Sequence, residues 1–327
     1  MRLPNQSRTP IFLRERYNSQ PELTEIPINS IRENRDIFVH IGTHKTGSTS
    51  LQQLCDRAAS QLREDGILYP KAGRPNSHPW AHHILAWSVQ QERGFNNLEG
   101  WEKVAQEIRK SGAARVLISS EGFVRCSVSD IKKIKCLLPN AKVKAIVYLR
   151  NPVDYIISFY KEKITGKGET RSFKKFYRDK KRMCKYTALI DRWKKGLGES
   201  VIVRSFEGCS KSGLEKDLLQ ILGVGTESYS KYIRKPANVS ISTDRLAVIR
   251  WINRLQEYDW SPSDLLHRVR RNLIRGTWRG KCLTSIADLI FSEPLYRKED
   301  IEWFKKEIGN SSKKFLKNII DKKENKK

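Results

Sequence analysis

Glycines at 42 and 47, a lysine at 45 and hydroxyls at 43, 46, 48 and 49 stand together in GTHKTGST, directly after the apolar run Ile37-Phe38-Val39-His40-Ile41. The chemistry open to such a set is anion binding. Glycines let backbone N–H groups close around a phosphate, and a helix beginning behind them adds free amides and the positive end of its dipole. The spacing of Gly42 and Gly47, with Thr49 behind them, matches the G-x-x-x-x-G-K-[ST] loop of nucleoside-triphosphate enzymes. Ser48, however, stands where that pattern has its lysine, and the lysine is displaced into the loop as Lys45. An ammonium there lies beside a bridging oxygen instead of along a β/γ-phosphate pair. The residues expected to line the anion are Gly42, Thr43, His44, Lys45, Thr46, Gly47, Ser48 and Thr49.

A second group is suited to the same ligand. In YLRNPVDYIISFYKE, Arg150 ends an apolar run, Pro152 opens a helical pattern and Ser158 follows two turns later. A guanidinium at a strand end can grip a phosphate with two hydrogen bonds, and a serine on the adjoining helix can donate to the same group. Two sets of residues can accept a proton. Glu121 closes the apolar run of ARVLISSE, and His78, His82 and His83 cluster in SHPWAHHILAW. His78 and His82 share a face if one helix holds both. Neither a glutamate after the first histidine nor a third ligand accompanies them, so no metal is expected. His40, on the apolar run, reads as structural; His44 lies where it can touch a ligand.

The elements that must position these residues alternate. Apolar runs at 37–42, 66–70, 114–121, 142–150 and 200–206 read as strands. STSLQQLCDRAASQLRE, HPWAHHILAWSVQQ, LEGWEKVAQEIRKS, VSDIKKIKCLL and PVDYIISFYKEKI have helical spacing, and the chain is mostly helical from about 212. Strands separated by helices predict an α/β fold with a mainly parallel sheet. In such sheets ligands sit at the carboxyl ends of strands, where the residues singled out above cluster. Residues 1–35, with four prolines and little periodicity, read as a poorly ordered arm, 36–310 as the main domain and 311–327 as a basic tail.

With its lysine inside the loop and the Arg150…Ser158 spacing a hundred residues on, the sequence resembles the sulfotransferase superfamily over roughly residues 36–245, closest to bacterial and carbohydrate-type members. VIVRSFEG (201–208) and RKPANVSIS (234–242) are similar to later segments of those proteins. The resemblance implies a P-loop-like three-layer α/β fold and the donor 3'-phosphoadenosine-5'-phosphosulfate (PAPS). It implies a 5'-phosphosulfate loop centred on Lys45, a 3'-phosphate site of Arg150 and Ser158, and metal-independent sulfonyl transfer to a hydroxyl or amine. Several members carry their base, a His or Glu, after a strand, which favours Glu121, with His82 and His83 as the alternatives.

The net charge of +27 requires an anionic partner or a strongly basic solvated surface. Basic residues and aromatics interleave over 161–195, a pattern shared by acidic-glycan grooves, nucleic-acid patches and plain amphipathic helices. The expected partner is a carbohydrate or glycolipid acceptor, with peripheral contact to an anionic membrane open and nucleic acid disfavoured. Six scattered cysteines, no C-x-x-C pair, no apolar span and no leader pattern at the N-terminus fit a cytoplasmic enzyme. Two further readings stay open. A P-loop small-molecule kinase would use Glu121 as the acid of a Walker B strand, and a non-catalytic polyanion binder would need charge alone.

Overall fold

The computed structural model describes residues 35–198, 200–233, 241–256 and 263–275, with isolated positions at 299, 302, 303 and 306. Residues 1–34 of the expected N-terminal arm, the basic tail, Cys282 and most of RKPANVSIS lie outside the described residues, while Arg35, expected as the last residue of the arm, belongs to the first strand. The strands are β1 (Arg35–Ile41), β2 (Ile67–Leu68), β3 (Arg115–Ser120), β4 (Ala141–Leu149) and β5 (Val201–Ser205). All pair in parallel, in the order β2-β3-β1-β4-β5. Each expected strand is present within about two residues of its ends, β2 being shorter than its apolar run.

The helices between β1 and β3 are α1 (Ser48–Arg57), α2 (Ala59–Glu64), α3 (His83–Val89) and α4 (Glu99–Ser111). Then come α5 (Val128–Leu137), α6 (Pro152–Lys167), α7 (Phe173–Lys180), α8 (Tyr186–Leu197), α9 (Phe206–Ser212), α10 (Leu214–Ile221), α11 (Thr243–Leu255) and α12 (Ser263–Arg275).

The central strands carry apolar side chains on both faces because helices cover both. Val39, Ile118, Val147 and Leu149 join a core with α3, α4, α5 and α8. Phe38, Leu117, Ile146 and Tyr148, one residue out of phase, join another with α1, α2 and α10. That two-sided burial is why β1 and β4 read as continuous apolar runs instead of alternating ones. A separate apolar cluster binds α6 to α7 and α11 beyond the sheet. It secures the helix that carries Ser158.

Two expectations are corrected. The helix expected from His78 starts only at His83, so His78 and His82 share no helix face. The single helix expected after the loop breaks at Ala58, which has φ −94° and ψ 15°.

Candidate functional site

The strand order puts β1 between β3 and β4, so the loop after β1 is flanked by the residues that end those two strands. Ile41 is level with Ser120 on one side and Val147 on the other. Gly42 N–H donates to Ser120 O at 3.2 Å. The loop passes so close to Glu121 that a Cβ at Gly42 would lie 2.9 Å from Glu121 Cγ and 2.8 Å from Ser48 Oγ.

The loop's hydroxyls are spent inward. Thr43 Oγ1 donates to Tyr148 O at 2.7 Å, tying the loop to β4. Thr46 Oγ1 and Ser48 Oγ donate to Thr43 O at 2.8 and 3.3 Å. All three side chains are buried, so they shape the loop; Thr49, in contrast, is exposed. Lys45 holds a left-handed backbone, φ 62°, and so does Gly47 at φ 73° as the N-cap of α1. The left-handed φ at Gly47 favours glycine, and a Cβ there would lie 2.5 Å from Leu214 Cδ2. No side chain caps α1, and its first-turn amides keep their capacity for an anion.

Arg150 follows β4 and reaches the loop, Nη1 donating to Lys45 O at 3.2 Å while its guanidinium lies over the Phe206 ring at 5.4 Å. Its Nε is buried and without a hydrogen-bond partner. Its carbonyl accepts from Tyr186 Oη at 2.9 Å. Asn151 caps α6, Oδ1 accepting from Val153 N–H at 2.9 Å, and Pro152 fills the first helical position, where a missing N–H costs nothing. Lys45 Nζ stands 3.5 Å from Glu162 Oε2. Ser158, half-buried, lies four residues before Glu162 and so on the same face of α6.

Glu121 opens the short 3₁₀ turn Glu121–Arg125 after β3. Its Oε2 is 3.4 Å from His44 Nδ1, and His44 stacks on Phe159 of α6 with ring centroids 5.4 Å apart. Burial pushes the Glu121 carboxyl up, but the hydrogen bond and charge of His44, with help from the other histidines, outweigh it and hold the group below its ordinary value. His83 Nδ1 lies 2.8 Å from Ser120 Oγ, and its ring stacks on Trp87. The structure thus brings Lys45, His44, Glu121 and Arg150 together around one loop, with His83 on the Ser120 side.

His82 does not belong to this group. It is 0% exposed, with Nε2 donating to Pro70 O at 2.8 Å and Nδ1 accepting from Ser119 N–H at 3.1 Å. Both ring nitrogens are used in the core, which leaves no lone pair for an acceptor proton. His40 is also buried, its Nδ1 2.7 Å from Ser119 Oγ. Desolvation lowers His40 to about 4 and His82 to about 3. Both are therefore neutral when folded and take up protons on unfolding from about 6.5 downward. The stability that depends on neutrality is present above about pH 6.5 and drains as pH falls towards the folded values. Urea titrations at pH 7.5 and 5.0 are expected to differ by about 2 kcal/mol for each of these two histidines. Equal midpoints at the two pH values would mean that neither ring is held neutral.

Glu162 was not expected from the sequence, although its place one turn beyond Ser158 is a legible signal. Phe159 carried no such signal, since it reads as an ordinary apolar helix position, and Tyr186 stood out only as one of the aromatics interleaved with the basic residues of 161–195.

No family model matches this chain. A curated protein of Archaeoglobus fulgidus, named only as uncharacterized, is 29% identical over 154 residues. The match covers 46% of this chain and 40% of that protein. Among solved structures, a sulfotransferase from Alicyclobacillus acidocaldarius is similar over 67% of this chain and 90% of its own, with a TM-score of 0.43 and 20% identity. Retinol dehydratase, in a complex with retinol and PAP, is similar over 90% of this chain and 83% of its own, with a TM-score of 0.31 and 14% identity. Among the described residues, no helix is long and apolar enough to cross a membrane.

Proposed function

We propose that this chain transfers a sulfonyl group from PAPS to a hydroxyl or amine of a carbohydrate-type acceptor, a saccharide or glycolipid. The observation that carries the reading is the loop with its lysine displaced into it, gripped through the Lys45 carbonyl by Arg150 from the neighbouring strand end. An ammonium, a guanidinium with a buried free Nε and the uncapped start of α1 surround one glycine-lined cradle. Those donors fit a phosphosulfate. When bound, the donor supplies an activated sulfonyl group on a phosphate leaving group.

The chain's own residues divide the work. Lys45 and the α1 amides hold negative charge at the loop. Arg150 and Ser158 hold a second phosphate, and Glu121 accepts the proton of the acceptor. The reading stands on the chain's own residues. The kinase reading is weakened by Ser48. In the slot of the missing lysine it is buried and donates to Thr43 O, so it cannot span a β- and a γ-phosphate.

Calorimetric titration with adenosine 3',5'-bisphosphate, alongside ATP–magnesium, tests the proposal. The bisphosphate is expected to bind with or without a chelator, and Arg150→Ala to weaken it about 10- to 100-fold, the scale of a lost charge-assisted pair. Binding of ATP–magnesium with no bisphosphate binding would overturn the reading and promote the kinase.

A further inference from the structure

Beside the loop lies a cavity of about 70 Å³. That is room for several waters, or for one carboxylate, sulfate or phosphate group. Thr43 of the loop, Val124 of the Glu121–Arg125 turn and Tyr155 of α6 form part of its wall. Arg182, Lys185 and Arg192 supply its charge, and among the described residues no carboxylate lines it. It therefore adjoins the position of the acceptor: Thr43 precedes His44, the partner of Glu121, and Val124 lies three residues beyond Glu121 on the same turn.

Three cations around one space repel one another, and the structure leaves them uncompensated. Among the described residues, Arg182 and Lys185 are exposed and form no ion pair. Arg192 is held in place, with Nη2 donating to Val124 O at 3.0 Å, yet its Nε is buried without a partner. The unused Nε edge is donor capacity that an oxyanion can take up, as it also is at Arg74 and Arg150, whose Nε atoms are likewise unpartnered among the described residues. A fixed fork with one edge unused is suited to a planar or tetrahedral oxyanion. The third observation is α8, which begins at this cavity with Lys185 as an N-cap that makes no side-chain bond and with no acid in its first turn. Met183, Leu189 and the Tyr186 ring add apolar wall.

We infer that this cavity seats an anionic group carried by the acceptor, a carboxylate or phosphate on a saccharide. The inference rests on the acceptor side of the sulfotransferase reading. It goes further in assigning the substrate a charge and naming the residues that read it.

The test uses the full chain saturated with adenosine 3',5'-bisphosphate, so that the loop is occupied. Three probes are titrated calorimetrically: a tetrasaccharide of alternating glucuronate and N-acetylglucosamine, glucose 6-phosphate, and neutral chitotetraose. At least one anionic probe is expected to bind more tightly than the neutral one. Arg182→Gln and Arg192→Gln are each expected to weaken it about tenfold or more while leaving bisphosphate affinity unchanged. Arg182 is exposed, so its variant keeps the fold even if removing Arg192 disturbs the contact with Val124. Binding by the glucuronate probe alone identifies a carboxylate, and binding by the sugar phosphate alone identifies a phosphate. Equal binding of chitotetraose, binding of no anionic probe, or anion binding indifferent to both substitutions would overturn the inference. So would a loss of bisphosphate affinity in the two variants, which would give the cavity to the donor. If the wild-type chain binds no bisphosphate, the donor reading fails by itself. The cavity is then judged on the same probes without bisphosphate, using the same two variants.

Discussion

Lys45→Ala is expected to lower kcat about 100- to 1,000-fold, the scale on which a preorganised donor to a developing negative charge acts. Three features make the substitution a clean one. Lys45 holds φ 62°, and alanine meets the same steric cost there because it also has a Cβ, so the loop gains no new preference. The ion pair lost with Glu162 is 3.5 Å long and lies between side chains more than a third exposed, so its removal has little effect on stability. Arg150 still reaches the loop through a backbone carbonyl that alanine retains. Bisphosphate affinity is therefore expected to fall by far less than kcat. That split separates charge development in the reaction from plain binding. Steady-state rates with and without a chelator, beside a bisphosphate titration of the same variant, measure both quantities. An unchanged kcat would remove Lys45 from its assigned role. A rate that vanished with the chelator in the wild-type chain would reinstate a metal.

The sheet was legible in the sequence because burial on both faces writes each central strand as an unbroken apolar run. The loop was legible because its glycines are spaced as in a phosphate loop, and each has a local use: one lies close to Glu121 and Ser48, and the other holds a left-handed backbone against Leu214. The start of α3 was not. Spacing alone extends that helix back through His78, but Pro79 interrupts it. His82 is held out of helical geometry by its own amide on Ser119 O and by both ring nitrogens, contacts made to Ser119 and Pro70, outside its own turn of chain. The same contacts remove His82 from the list of bases, so one tertiary feature accounts for both misreadings. The break at Ala58 has no local cause in Arg57-Ala58-Ala59, where alanine favours helix. The inward turn of Thr43, Thr46 and Ser48 could not be foreseen either. A hydroxyl in a glycine loop reads alike whether it faces a ligand or a carbonyl. The cationic cavity is the extreme case. Thr43, Val124 and Arg192 meet only once β1, the turn after β3, and α8 are in place.

Glu121→Gln is the second substitution with a large expected effect, a fall of about 100- to 10,000-fold in kcat, the range over which a positioned base contributes. The alternative base is His83, lowered to about 4 chiefly by desolvation and with Nδ1 already against Ser120 Oγ. His83→Gln is expected to cost less than about tenfold, since it leaves the carboxylate beside His44 in place. The pH dependence adds a sign. Glu121 is held below its ordinary value, so its ionised, proton-accepting form prevails throughout the neutral range. The rate is therefore expected to stay level from pH 8 to pH 6 and to fall only in more acid solution, where the buried histidines, whose effect starts near pH 6.5, also take a growing toll on the fold. A base with the ordinary imidazole pKa of about 6.5 would instead cut the rate about tenfold for each pH unit below that value. The two variants and the profile decide together. A level profile with a severe Glu121→Gln loss assigns the base to the carboxylate. A level profile with a severe His83→Gln loss moves it to that imidazole, and a fall beginning near pH 6.5 with both variants active excludes the two of them.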